Sequence, residues 1–250
     1  MTPLKPTEID PRVCCPIVAG DYMRATGFFF EADNTYLVTA RHNVLPTSGS
    51  QLETGDFKMD FEMPTTHSKI DIYLQSDDTF DVETLHLSDS PYVAIDPHID
   101  IIAIQLPFNP ANYGNIVFRP DDIDGTHSKS QTFDTIGFPG DSFPTANEYD
   151  TDTYAEQISR PYTLSTNGPI STEKLQIRSI ENVAVTHVSG ETSVDADYKG
   201  LSGSPVLGQG LAGIHTLNLP AKARDPETGE EIDSMLTSYW RANTLLHLLE

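Results

Sequence analysis

The chain has 250 residues, enough for one large domain or two small ones with a sizeable core. It carries 15 basic and 37 acidic side chains, a net charge of −22, which argues against nucleic-acid phosphates and anionic membrane surfaces as partners. Its longest apolar patch, 99–108, is interrupted by Asp100 and Gln105 and falls short of the roughly 18–20 apolar residues of a membrane span.

The opening residues, 1–12, contain no apolar secretory core, and the adjacent Cys14 and Cys15 offer no disulfide framework. Both features predict a cytoplasmic setting. Short strand-like runs follow at 27–32 (GFFFEA), 36–39 (YLVT), 70–74 (IDIYL), 91–95 (PYVAI) and 99–106 (IDIIAIQL). More come at 132–138, 174–180, 183–188, 204–207 and 211–216. They are rich in β-branched and aromatic residues and bounded by Gly, Pro, Asn, Asp or Ser, which predicts an antiparallel barrel or sandwich. The Pro-, Gly- and Asp-containing stretch 108–130 reads as a linker between two β units, and the polar 141–157 as a loop. A helical period appears only at 238–249, where Tyr239, Ala242, Leu245, Leu246 and Leu249 share a face. The acidity itself fits either a salt-adapted host or an ordinary acidic protein.

Three motifs carry candidate chemistry. The strand at 36–39 ends in Thr39-Ala40, followed by Arg41, His42 and Asn43. Asp100 opens the apolar strand Ile101-Ile102-Ala103-Ile104. Ser202 stands among glycines in Gly200-Leu201-Ser202-Gly203-Ser204-Pro205. A serine hydroxyl is a weak nucleophile until an imidazole takes its proton, and the imidazole needs a carboxylate to fix its tautomer. A developing oxyanion needs converging backbone N–H groups, which glycines allow and which Gly200 and Ser202 would supply. Each motif alone is weak; their set and order carry the weight.

Together, over roughly residues 12–248, these motifs resemble the chymotrypsin/trypsin-like serine proteases, with His, Asp and Ser in that chain order. Gly-x-Ser-Gly-Ser-Pro, and Thr135-Ile136-Gly137-Phe138-Pro139-Gly140 before it, are nearest in style to the bacterial glutamyl-endopeptidase branch. The resemblance implies an all-β chain of two antiparallel six-stranded barrels with a short C-terminal helix. Residues 12–107 would form the first barrel with His42 and Asp100, 108–130 the linker, and 131–250 the second barrel with Ser202 and the helix. It implies a serine endopeptidase acting through an acyl-enzyme. Ser202 would be the nucleophile, His42 the general base and acid, Asp100 the orienting carboxylate, and the Gly200 and Ser202 amides the oxyanion hole. Ser204 is the competing nucleophile and Asp96 the competing carboxylate.

The departures from the family pattern are informative. Asn43 stands where secreted relatives carry a disulfide cysteine, and Leu201 where zymogen-activated members carry an aspartate. Trypsin-type activation is therefore not expected, and control by a partner protein or a hidden active site is. His215, in Gly213-Ile214-His215, matches a residue that in glutamyl endopeptidases and picornavirus-type proteases faces Glu or Gln before the cut. Asp197, near the predicted pocket base, would instead repel Glu. A protein or peptide substrate is expected. No cofactor or metal is, because His67, His86, His98, His127, His187 and His247 show no ligand spacing and the cluster Asp121, Asp122, Asp124 lacks a calcium-loop pattern. Cys14 and Cys15 lack close basic neighbours except Arg12 and read as inert. A regulated intracellular effector is one expected role. A catalytically silent or latent binding module on the same fold is the alternative. An α/β-hydrolase esterase would run Ser, Asp, His and contain more helix, so it does not fit.

Overall fold

A computed structural model describes residues 5–6, 9–20, 23–45, 69–76, 79–89, 93–96, 99–125, 131–139, 161–167, 169–174, 181–187, 200–224 and 229–250. The strands in chain order are β1 (Lys5–Pro6), β2 (Cys15–Ala19), β3 (Met23–Glu31), β4 (Thr35–Thr39), β5 (Lys69–Ser76), β6 (Thr79–His86), β7 (Val93–Ile95) and β8 (Ile102–Gln105). They continue as β9 (Val117–Phe118), β10 (Thr132–Gly137), β11 (Tyr162–Asn167), β12 (Pro169–Lys174), β13 (Glu181–His187), β14 (Pro205–Leu207), β15 (Leu211–Arg224) and β16 (Glu231–Arg241). The short helix α1 (Thr244–Leu249) closes the chain.

Two sheets form. One runs β6-β5-β2-β3-β4-β8-β7, with β9 added in parallel to β3. The other runs β1-β11-β10-β14-β15-β16-β13-β12. This is the expected antiparallel two-barrel architecture with one C-terminal helix. Two-residue pieces such as β1 and β9 bring each sheet to eight strands among the described residues, where six were expected.

The first sheet explains its own sequence. Phe28, Phe30, Tyr36, Val38, Ile101 and Ala103 bury one face in a cluster shared with Ile136, Phe138, Leu211, Ile214, Trp240 and Leu245 of the second unit. Their neighbours Phe29, Leu37, Ile102 and Ile104 point the other way, onto Ile17, Ile70, Ile72 and Leu74. Side chains alternate with period two, and both faces are buried, so the strands read as continuous apolar runs rather than as alternation.

One stretch differs from its sequence reading. The expected helix at 238–249 begins only at Thr244, because β16 pairs with β13 and β15 through Trp240 and Arg241. The described part of 108–130 runs between β8 of the first sheet and β10 of the second. It holds 3-10 turns at Pro110–Tyr113 and Pro120–Asp122, its β9 pairs with β3, and Ile123 bridges to Leu211. Residues 141–157 lie outside the described residues, as do 175–180 of the expected strand 174–180; Lys174 ends β12.

Candidate active site

The pairing of β4 with β8 builds half of the site. Thr39 lies opposite Ile102 in an antiparallel register. His42, just past the end of β4, and Asp100, just before the start of β8, therefore sit at the same end of the pair. His42 occupies a single 3-10 turn, Arg41–Asn43. Its Nδ1 lies 2.7 Å from Asp100 Oδ2, within hydrogen-bond reach of the carboxylate. The His42 backbone N–H donates to the other carboxylate oxygen at 3.1 Å. Both side chains keep some exposure, 30% for His42 and 26% for Asp100.

The hairpin β14–β15 builds the other half. Pro205 pairs with Ile214, and the Gly203 N–H donates to the His215 carbonyl at 2.8 Å. These bonds lay the residues before β14 along 215–216. Ser202 Oγ donates to the Thr216 carbonyl at 3.2 Å. A register shift between His215 and Leu217 marks a bulge at Thr216, a device that re-aims backbone groups beside functional sites.

A polar latch fastens the serine turn to the first sheet. Asn43 Nδ2 donates to the Ser202 carbonyl at 2.8 Å and to Thr39 Oγ1 at 3.0 Å. The Thr26 N–H also donates to the Ser202 carbonyl, at 3.3 Å. Thr26 Oγ1 donates to the Gly200 carbonyl at 2.8 Å and accepts from the Phe138 N–H at 2.9 Å. Gly203 sits in this latch with φ near 90°; a Cβ there would run into the Thr26 carbonyl and Thr39 Oγ1. Gly200 is also left-handed, at 93°.

Two buried groups set the local electrostatics. Arg41 is 1% exposed, and its Nη1 donates to the Asp96 carbonyl at 3.3 Å. Burial pushes its guanidinium below the ordinary value, and the negative charges of Asp100 and Asp96 oppose that. His215 is fully buried. Burial first, and the nearby His42 second, push its ring down to about 3, so it is neutral at neutral pH.

The structure therefore brings His42, Asp100, Ser202, Gly200 and His215 into one neighbourhood. Ser204 is fully buried and is no candidate for attack. Asp96 is buried beside Arg41, and it is Asp100 that meets His42 Nδ1. Asp197 lies outside the described residues, as do His67, His98 and His127. Asp122 accepts from the Arg119 N–H, and Asp124 accepts from Gln131 and the Gln209 N–H, so two of the acidic trio serve their own turns. Among the described residues no group of three His, Cys, Asp or Glu is disposed to hold a metal ion. Cys14 and Cys15 are buried, and burial raises both thiols far above the ordinary range. Arg41, Thr26 and Thr216 carry no motif signal in the sequence; burial and pairing reveal them.

Comparison with family models gives no match, nor does comparison with curated proteins. Solved structures do match. Human heparin binding protein aligns with 99% of this chain and 95% of its own, at 12% identity and a TM-score of 0.52. The fold is that of the trypsin-like serine proteases. A scabies mite inactivated protease paralogue, S-D1, aligns with 98% of this chain and 94% of its own, at 12% identity and a TM-score of 0.50.

Proposed function

We propose that this chain is a serine endopeptidase. The observation that carries the reading is the 2.7 Å contact between His42 Nδ1 and Asp100 Oδ2, residues 58 apart in sequence, on the same sheet end to which the Ser202 turn is latched. In this reading Ser202 Oγ leaves the Thr216 carbonyl and attacks the peptide carbonyl while His42 Nε2 takes its proton. Asp100 stabilises the imidazolium that forms. The amides of Gly200 and Ser202 hold the oxyanion, where loss of one such donor costs about 100- to 1000-fold in rate. His42 then protonates the leaving amine, and water, activated by His42, releases the acyl group from Ser202.

The substrate is a protein or peptide. The motif style of the glutamyl-endopeptidase branch supports Gln or Glu before the cut, while Asp197 would pull toward basic residues and the His215 ring is fully buried. The absence of a disulfide cysteine at Asn43 supports a cytoplasmic effector, and Leu201 supports control by a partner protein rather than by zymogen cleavage. Incubation with a peptide library, with His42→Ala as control, tests the activity. Cleavage by wild type alone supports it, and equal cleavage by both removes His42 from the mechanism.

A second reading, a silent or latent module on this fold, is favoured by one observation. The Ser202 hydroxyl is engaged with the Thr216 carbonyl. Persistence of that bond with substrate bound would make the chain a binder rather than a protease.

A further inference from the structure

We propose that the edge of β15 beyond Thr216 is a docking ledge for an extended peptide, which adds to the sheet as one more antiparallel strand and reaches well past the Ser202 turn. That this peptide is a substrate rests on the protease reading above; the docking itself does not. β15 runs on to Arg224, but β14 pairs with it only at 211–214, and bonds from the Gly203–Ser204 turn carry that side no further than His215. On the other side β16 follows β15 to its end, from Gly213 opposite Arg241 to Arg224 opposite Glu231. β13 leaves β16 at Leu236. Among the described residues, 220–224 and 231–235 therefore pair only with each other, as a two-stranded arm. Such a ribbon is marginal in water and gains from a third strand.

The register decides which backbone groups the ledge offers. Before the bulge, the Ala212 carbonyl accepts from the Ala242 N–H on the β16 side, and the His215 N–H donates to the Ser204 carbonyl on the β14 side. The register shift between His215 and Leu217 inverts this alternation. Beyond it the odd-numbered residues bond to β16, and Asn218, Pro220 and Lys222 turn their backbone groups outward. Pro220 agrees with this, since a residue without an N–H is tolerated on the open side of a ladder and not within it. The outward row begins at the Thr216 carbonyl, to which Ser202 Oγ donates at 3.2 Å. An antiparallel peptide on this row runs toward Ser202. With the residue before the cut at Thr216, the third, fifth and seventh before it fall opposite Asn218, Pro220 and Lys222. From Thr216 to Arg224 the row is about 26 Å long, at about 3.3 Å per residue. Main-chain bonds supply the affinity, with little demand on side chains, and the peptide N–H that arrives at Thr216 frees the Ser202 hydroxyl. Continuity of the row with that carbonyl favours a peptide over a second copy of the chain, and a net charge of −22 on each copy opposes self-pairing.

Hydrogen exchange of the Ser202→Ala chain, read by NMR at single amides, tests the docking without catalysis. The probe is a capped octapeptide of alternating Thr and Val; its control has two adjacent central residues replaced by proline. The octapeptide should slow exchange at Asn218 and Lys222 about tenfold, and the control should not. Unchanged exchange at both amides overturns the inference, as does equal protection by the control. Protection of these amides in the chain alone overturns it too: if it fades on dilution a second copy holds the edge, and if it does not the chain covers its own edge. Digestion of a random dodecapeptide pool by wild type, with cut sites read by mass spectrometry, tests the link to cleavage. Peptides with seven residues before the cut should show a kcat/KM at least about tenfold above those with three. Equal cleavage at both lengths overturns the ledge as a substrate site. Protection by the octapeptide with no cleavage of any peptide refutes the protease reading only. Cleavage at equal rates with no protection refutes the ledge and leaves the protease reading standing.

Discussion

Acidification should weaken this protein through His215. The ring is fully buried, and its pKa is pushed down to about 3 from an ordinary 6.5. Below pH 6.5 the unfolded chain takes up a proton at this position that the folded chain refuses. The contribution is therefore complete above 6.5 and falls as pH drops toward 3. Each pH unit in that window costs about 1.4 kcal/mol, so the descent from 6.5 to 5 removes about 2 kcal/mol. The perturbation is His215→Gln, a neutral side chain of similar size. Urea unfolding of wild type and variant between pH 7.5 and 5 isolates the term, because the 37 carboxylates titrate alike in both. Wild type should lose about 2 kcal/mol more than the variant over that range. Parallel stability curves would refute the reasoning, since they would mean that His215 accepts its proton in the folded state.

Three further outcomes follow from the latch and the core. Gly203→Ala places a Cβ against the Thr26 carbonyl and Thr39 Oγ1 at a left-handed φ, and should cost about 3 kcal/mol or more in denaturant unfolding. Asn43→Ala removes the 2.8 Å and 3.0 Å bonds of the latch; about 1–3 kcal/mol of stability should go, and peptide cleavage should slow through kcat with KM little changed. Cys14 and Cys15, buried with raised thiols, should resist iodoacetamide at pH 7.5 and react only in denaturant, as read by intact mass.

Much of the architecture was legible because turn residues punctuate it. The runs 27–32, 36–39 and 99–106 map onto β3, β4 and β8, and their unbroken apolarity now has a cause in the two buried faces of that sheet. The start of α1 was not legible. Tyr239 and Ala242 keep helical spacing with Leu245 and Leu249, but Tyr239 pairs with Ala184 and His215, and those strand bonds outweigh the local period. Nor could local pattern show that β1, at residues 5–6, joins the second sheet by pairing with β11, a contact of large sequence separation. At the candidate site, His42, Asp100 and Ser202 stood out because motif chemistry is local. Arg41 did not, because nothing in Thr39-Ala40-Arg41-His42 reveals that the arginine turns inward. Asn43 was noticed only as a missing cysteine, and its amide became a latch once Ser202 lay beside it.

The central claim is that Ser202 is activated by His42 and Asp100. The most direct measurement is the reaction of purified protein with a fluorophosphonate, the adduct located by peptide mass spectrometry, in wild type, Ser202→Ala and Asp100→Asn. The claim predicts a single adduct on Ser202 in wild type, none in Ser202→Ala, and labelling slowed by roughly 10⁴-fold in Asp100→Asn. An adduct on another residue, equal labelling of wild type and Asp100→Asn, or a folded wild type that takes no label would contradict it.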